Sequence, residues 1–206
     1  MTNYQKIEEL LNKNKGYVTL EDIRSNHIPS SLFTKFKKEN NLVKIARGFY
    51  AKKERLVDDY LVFEYVYPKV VFSLRSALFI HNLINLDKLS SISYGLEVTS
   101  LKGSTVSSSR FQKPVIFHVV ENKEVFNLGI IETLSPFGNK IKVYDKERTI
   151  CDLIKYKSQI DLTLYLEVLF KYFNSNDKNI DKLITYSKIM NIEDKVKKVI
   201  NSFNNN

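Results

Sequence analysis

Tryptophan is absent from this chain, cysteine occurs once, and glycine and proline are sparse at six and four residues. Each scarcity removes a class of function. The lone Cys151 cannot close an internal disulfide, so the fold must stand on packing, as suits a reducing cytoplasm. Set in an apolar helical context, it reads as a small buried hydrophobe rather than a nucleophile. The glycines are scattered, with no GxGxxG or GxxxxGKS/T arrangement, which leaves no loop to cradle a nucleotide's phosphates. His27, His81 and His118 lie far apart with no cysteine or carboxylate cluster beside them. The ligand spacing of a metal centre is therefore missing, and neither metal nor cofactor is expected. No apolar run approaches the ~18 residues that suggest a membrane span. The opening Met1-Thr-Asn-Tyr-Gln-Lys is not a signal peptide. A cytoplasmic protein without a membrane partner is expected. No internal repeat is found.

What is present is apolar side chain in quantity. At 206 residues, 43% hydrophobic and 12% aromatic, the chain is too apolar to be disordered and long enough for two modest domains, each with a core. Its net charge of +9 is unevenly spread: residues 1–55 hold 12 Lys/Arg against 6 Asp/Glu, while the other 151 hold 20 against 17. A basic cluster of this kind concentrates a polyanion and supplies the sequence-independent, salt-sensitive part of DNA affinity.

Within that basic quarter, Tyr4, Ile7, Leu10 and Leu11 mark one helical stripe, and Leu20 and Ile23 a second, with Thr19 and Asp22 as its N-cap signal. Ile28-Pro29-Ser30 stops the second helix and caps a third. On that third helix Ser31, Thr34, Lys35 and Lys38 share one face, while Leu32, Phe33 and Phe36 share the opposite one. One face packs and the other is free for DNA. After Asn40-Asn41, Val43 and Ile45 alternate with Lys44, and Ala46-Arg47-Gly48 turns the chain into Phe49-Tyr50-Ala51, with Gly48 supplying a positive φ. This is the layout of a winged helix-turn-helix, with Arg47 at the wing tip. Ser30, Ser31, Thr34, Lys35, Lys37, Lys38, Lys44 and Arg47 are the DNA-binding candidates.

Beyond a charged joint, Lys52-Lys53-Glu54-Arg55, an apolar helix is expected from Val57 to Tyr67. A strand at Val70–Phe72 and a helix capped by Ser73, carrying Ala77, Leu78, Ile80 and Leu83, follow. Strand-like runs lie at Ile92–Val98, Val115–Val120, Leu128–Leu134 and Ile141–Tyr144. Lys102–Arg110 is the most loop-like stretch. The last third reads as four helices: Asp145 caps one with Ile150, Leu153 and Ile154 inward, and Leu162, Tyr165, Leu166, Leu169 and Phe173 repeat at helical spacing in the next. Ile180, Leu183, Ile184 and Ser187 mark a third, and Val196, Val199, Ile200 and Phe203 a fourth. The tail from Asn204 to Asn206 is expected to fray. The fold class is α+β: a winged helix-turn-helix over residues 1–54, then a larger mixed α/β domain over 55–206 ending in a bundle-like helical segment.

Three motifs taken in order, Ile45-Ala-Arg-Gly-Phe-Tyr50, Ser76-Ala-Leu-Phe-Ile-His81-Asn-Leu83 and Val143-Tyr-Asp-Lys-Glu-Arg148-Thr-Ile-Cys-Asp152, resemble the AbiEi antitoxin family of abortive-infection toxin–antitoxin operons. The resemblance spans almost the whole chain. It implies a phage-defence antitoxin that represses its own operon by binding inverted repeats. It also implies that the protein counteracts a neighbouring AbiEii-type nucleotidyltransferase toxin, without need of a stable complex. The winged helix would carry much of the DNA binding, and the second domain the antitoxicity along with a contribution to DNA binding. One departure stands out: Asn82 follows His81, where the family has Gly.

Ser76, His81, Glu147, Arg148, Thr149 and Asp152 form the second domain's motif, and read from chemistry alone it is structural. Arg148 and Asp152 are i, i+4 neighbours that can pair along a helix and clamp it to its domain. His81, alone on an apolar helix, reads as a hydrogen-bonded core residue. The sharpest enzymatic alternative is a restriction-endonuclease-like nuclease, from Glu121-Asn122-Lys123 after the Val115–Val120 strand. It lacks a proper acidic partner: between Asp87 and Glu121 the only carboxylate is Glu97, without a neighbouring Pro-Asp. No enzyme is expected. The non-enzymatic alternative to the antitoxin is a winged-helix regulator whose second domain senses a ligand or oligomerises.

Overall fold

The structure, a computed structural model, describes residues 1–53, 56–85, 95–104 and 114–204. It divides over these residues into two compact units, Met1–Val66 and the residues from Tyr67 on. The chain is α+β throughout. No helix among the described residues is long and apolar enough to cross a membrane.

The first unit runs α1 (Asn3–Lys13), β1 (Tyr17–Thr19), α2 (Leu20–Ser25), α3 (Ser30–Glu39), β2 (Leu42–Ala46), β3 (Phe49–Lys52) and α4 (Asp59–Val66). Reciprocal capping boxes start the first two helices. Thr2 and Gln5 exchange bonds at α1, and at α2 the Asp22 amide donates to Thr19 Oγ1 (3.0 Å) while the Thr19 amide donates to Asp22 Oδ2 (2.8 Å). Ser30 does not cap α3. Pro29 takes that position without a side-chain bond, and the Ser30 carbonyl instead accepts from Thr34 Oγ1. Ile7, Leu11, Val18, Ile23, Phe33 and Phe36 form the buried core of the three helices.

The strands form an antiparallel sheet in the order β1-β3-β2, with Tyr17 opposite Ala51 and Val43 also opposite Ala51 from the other side. β1 escaped the sequence reading because three residues are too few for an alternation. The register shifts between Lys44 and Ala46, so that Ala46 faces Phe49 across an Arg47-Gly48 tip, and Gly48 holds φ +80°. The helix expected over Val57–Tyr67 is shorter, Asp59–Val66, because the Asp58 carboxylate accepts from the Tyr60 and Leu61 amides and fixes its start. It belongs with the first unit rather than beyond residue 54. Val62 packs with Tyr17, Phe49 and Ala51, and the Tyr65 hydroxyl donates to the Gly48 carbonyl.

The second unit is built on a five-stranded mixed sheet, order β6-β5-β4-β8-β7, from β4 (Val70–Phe72), β5 (Leu96–Leu101), β6 (Val115–Val120), β7 (Ile130–Leu134) and β8 (Lys140–Tyr144). β4 runs antiparallel to β5 and parallel to β8; β5 and β6 are parallel, β7 and β8 antiparallel. The helices are α5 (Leu74–Ile80), α6 (Lys123–Asn127), α7 (Lys146–Lys155), α8 (Leu162–Phe173), α9 (Ile180–Ile189) and α10 (Glu193–Asn204). They share one core through Leu78, Ile150, Leu153, Val168, Leu183 and Val196.

Several expectations shift. Ser73 precedes α5, but its side chain makes no cap bond. On α8, Leu162 and Leu166 point outward, 59% and 52% exposed, and the buried face is Leu164, Tyr165, Val168, Leu169, Tyr172 and Phe173. That helix is apolar almost all round, so spacing alone could not choose its inner face. The expected strand start at Ile92, most of the 102–110 loop and the end of the tail lie outside the described residues. Asn82 takes φ +57° just past α5, where the Leu83 amide closes back on the Leu78 carbonyl at 2.8 Å. Asparagine is the residue that best replaces glycine in such a left-handed helix end.

Thr19→Ala is expected to lower stability by about 1 kcal/mol, and Thr19→Ser by much less. Urea unfolding followed by circular dichroism checks this, and an alanine variant as stable as the parent would show that the box contributes nothing.

Candidate nucleic-acid interface and a buried polar hub

Phe33 and Phe36 anchor α3 in the first unit's core and so dictate what the rest of that helix presents. Ser30, Ser31, Thr34, Lys35 and Lys38 are exposed on its outer side, with Lys35 only loosely paired to Glu39 at 3.8 Å. Glu39 is also held by the Tyr4 hydroxyl at 2.7 Å, which pulls the helix's one acidic group toward α1. Lys37 is half-buried, its ammonium 4.6 Å from the Tyr50 ring centroid and 5.0 Å from that of Phe33. The rings fix its direction while leaving its charge in place. Lys44 and Arg47 are exposed on β2 and at the hairpin tip.

A groove between α3 and the strands is lined by Lys37, Lys38, Lys44 and Lys53, with Thr34 and Asn41. Lys53 was not among the sequence candidates. Its amide donates to the Asn41 carbonyl, a pairing that carries the end of β3 to the start of β2, and no local pattern announces it. A second groove beside the tip is lined by Arg24, Arg47, Glu21 and Tyr65. Fixed cations flanking an exposed helix face can meet the phosphates on either side of a groove in DNA.

The motif residues of the second unit come together as a different object. Arg148 is 1% exposed, its Nε bonds Asp152 Oδ2 at 3.2 Å, and its Nη1 donates to the Val125 and Leu128 carbonyls. Its guanidinium lies 4.1 Å from the Tyr144 ring centroid. Burial pushes the Asp152 carboxyl above its ordinary range, and the guanidinium pulls it back. Asp145 caps α7 through the Arg148 amide and also accepts from the Tyr186 hydroxyl at 3.0 Å. Buried Glu147 accepts from the Tyr172 hydroxyl at 3.2 Å. Lys182 reaches Asp145 at 3.0 Å and Glu147 at 3.5 Å; partial burial disfavours its charge, but the two carboxylates raise its pKa overall. Thr149 Oγ1 donates to the Asp145 carbonyl at 2.7 Å.

Ser76, in the first turn of α5, lies apart from this hub, while His81, just past the helix end, joins it through Tyr144. Ser76 Oγ accepts from the Glu97 amide at 2.8 Å. His81 Nε2 meets the Tyr144 carbonyl at 2.7 Å, and since a carbonyl only accepts, that nitrogen carries the proton. Burial holds the ring below its usual pKa. Each of these side chains ties one element to another. Tyr144, Tyr172, Tyr186 and Lys182 complete the arrangement, and their separation along the chain gave no signal of it.

The candidate nuclease carboxylates are not brought together. Glu97 lies opposite Ile116, so Glu121, from position 116 to 121 along the neighbouring strand, is displaced by roughly 16 Å. Glu97 is buried against His118, while Glu121 is exposed and paired with Lys102. No cluster of three metal-ligating side chains occurs among the described residues. No protein-family model matches the chain, and no curated protein matches it.

Arg148→Ala is expected to cost about 3–5 kcal/mol, because it leaves a buried carboxylate without its cation. Replacing both partners, Arg148→Met with Asp152→Leu, should recover much of the loss. Urea melts of the two variants decide, and equal losses would show that ion pairing contributes little to the guanidinium's role.

Proposed function

We propose that this chain is a DNA-binding antitoxin of the AbiEi type, acting in the cytoplasm and without catalytic activity. In this reading the first unit is a winged helix-turn-helix, with α3 as the recognition helix and the β2–β3 hairpin as the wing. It binds inverted repeats in its own operator and represses its operon. The second unit counteracts an AbiEii-type nucleotidyltransferase toxin without requiring a stable complex.

The observation that carries the DNA reading is the outer face of α3. Ser31, Thr34, Lys35 and Lys38 are exposed on a helix whose other side is buried, and Lys37, Lys44, Lys53 and Arg47 flank it. Short polar side chains can reach base edges, and lysines and arginines meet phosphates. The antitoxin reading rests on the resemblance of the three ordered motifs to the AbiEi family. The buried hub supports a scaffold role for the last of them, since its side chains are consumed by internal bonds.

Mobility-shift titrations of the operator region at two salt concentrations test the first half. Arg47→Ala should weaken binding to every sequence and reduce the salt slope by about one unit. Changes at Ser31 or Thr34 should alter sequence preference instead. Unchanged affinity in a Lys35/Lys38/Arg47 triple alanine variant would overturn the assignment of this face.

Co-expression with a nucleotidyltransferase encoded beside this gene tests the second half. The parent chain should restore growth, and so should the triple alanine variant. Failure of the parent chain to rescue would remove the antitoxin reading and leave the DNA reading standing.

A further inference from the structure

The tip of the β2–β3 hairpin is tied to two helices through a single atom. The Gly48 carbonyl accepts from the Leu20 amide at 2.8 Å and from the Tyr65 hydroxyl at 3.3 Å, which binds the tip at once to the first residue of α2 and to α4. Glycine is required there: φ is +80°, and an added Cβ would lie 3.1 Å from the Tyr65 hydroxyl. The reciprocal bonds of Thr19 and Asp22 hold the same helix start. The hairpin tip is therefore fixed relative to α2.

Two guanidinium groups border the open groove at this junction, Arg24 from the last turn of α2 and Arg47 from the tip. Buried Ile23 anchors α2 in the core, and its neighbour Arg24 is exposed. Neither guanidinium has a hydrogen-bond or ion-pair partner among the described residues. Glu21, the groove's one acidic residue, forms no ion pair with either. The second unit treats its arginines differently, pairing Arg75 with Glu97 and Arg148 with Asp152.

A guanidinium stays charged and presents five donors in a planar fork. Unpaired, exposed and carried on a fixed junction, it suits an anion with several acceptor oxygens. Two cations against one carboxylate leave the groove positive. Arg47 belongs both to this groove and to the hairpin, which makes a backbone phosphate of the same duplex the anion within reach.

We infer, resting on the DNA-binding reading of this unit, that Arg24 is a further DNA-contact residue. Its guanidinium grips a backbone phosphate next to the one met by Arg47, and the bonds to the Gly48 carbonyl fix the spacing of the two. The contact is to phosphate and not to a base edge, so it adds affinity and register without sequence preference.

Mobility-shift titrations of the full chain on the operator region and on an unrelated duplex, each at two salt concentrations, test the assignment. Arg24→Ala should weaken binding to both duplexes by the same factor and lower the salt slope by about one unit; combined with Arg47→Ala it should lower the slope by about two. Arg24→Lys keeps the charge and should keep the parent's slope. Thermal melts of the same variants separate a structural role, which would shift the melting temperature and leave the slope alone. A slope unchanged by Arg24→Ala while the parent binds, or a loss confined to the operator, would overturn the role of Arg24 and leave the α3 reading standing. A parent chain that binds neither duplex overturns both.

Discussion

A guanidinium that has left water must have its donors and its charge answered, and Arg148 is such a group at the centre of the second unit. Removing an ion from water costs several kcal/mol, repaid only by close geometry and further hydrogen bonds. The surroundings of Arg148 follow from that requirement. Asp152 stands one turn along α7, the ring of Tyr144 lies against the guanidinium, and the carbonyls of Val125 and Leu128 turn toward it. The connection between α6 and β7 is thereby pinned to α7. Gly129 is part of the same constraint: at φ +76°, an added Cβ would lie 2.8 Å from Arg148 Cβ and 3.1 Å from the Asp145 carboxylate. The Tyr144 hydroxyl donates to the Phe126 carbonyl and His81 binds the Tyr144 carbonyl, so β8 and α5 are drawn into one network.

The first unit solves a different problem with the same residue types. Its interior is aromatic and aliphatic, with Tyr4 edge-on to Phe36 and Phe33 edge-on to Tyr50. Its cations stay outside. Lys37 is held with its ammonium over the rings of Phe33 and Tyr50. A buried cation fixes a structure because its partners are used up. An exposed one serves binding because its counter-charge is still missing.

This contrast bears on how function divides along the chain. The 147–152 motif is the most distinctive chemical string in the second unit, yet its side chains are spent on internal bonds. The exposed lysines and arginine lie instead on the α3–hairpin surface of the first unit.

Local signals determined much of this protein by themselves. Period-3.6 apolar stripes placed α1, α3, α7, α9 and α10, the Thr19–Asp22 pair marked the start of α2, and Gly48 marked the hairpin tip, because helix periodicity, capping and positive φ are properties of a few adjacent residues. The Arg148–Asp152 pair was legible for the same reason, being one helical turn apart. Tertiary structure decided what depends on distant residues. It assigned α4 to the first unit through Tyr17 and Val62, chose the inner face of α8, and brought Lys53 beside Asn41. It also set Glu97 against His118 across a parallel strand pair and Lys182 against Asp145 and Glu147. Such meetings are fixed by strand order, register and the sharing of a buried charge, and these are settled only when the whole sheet and its helices pack.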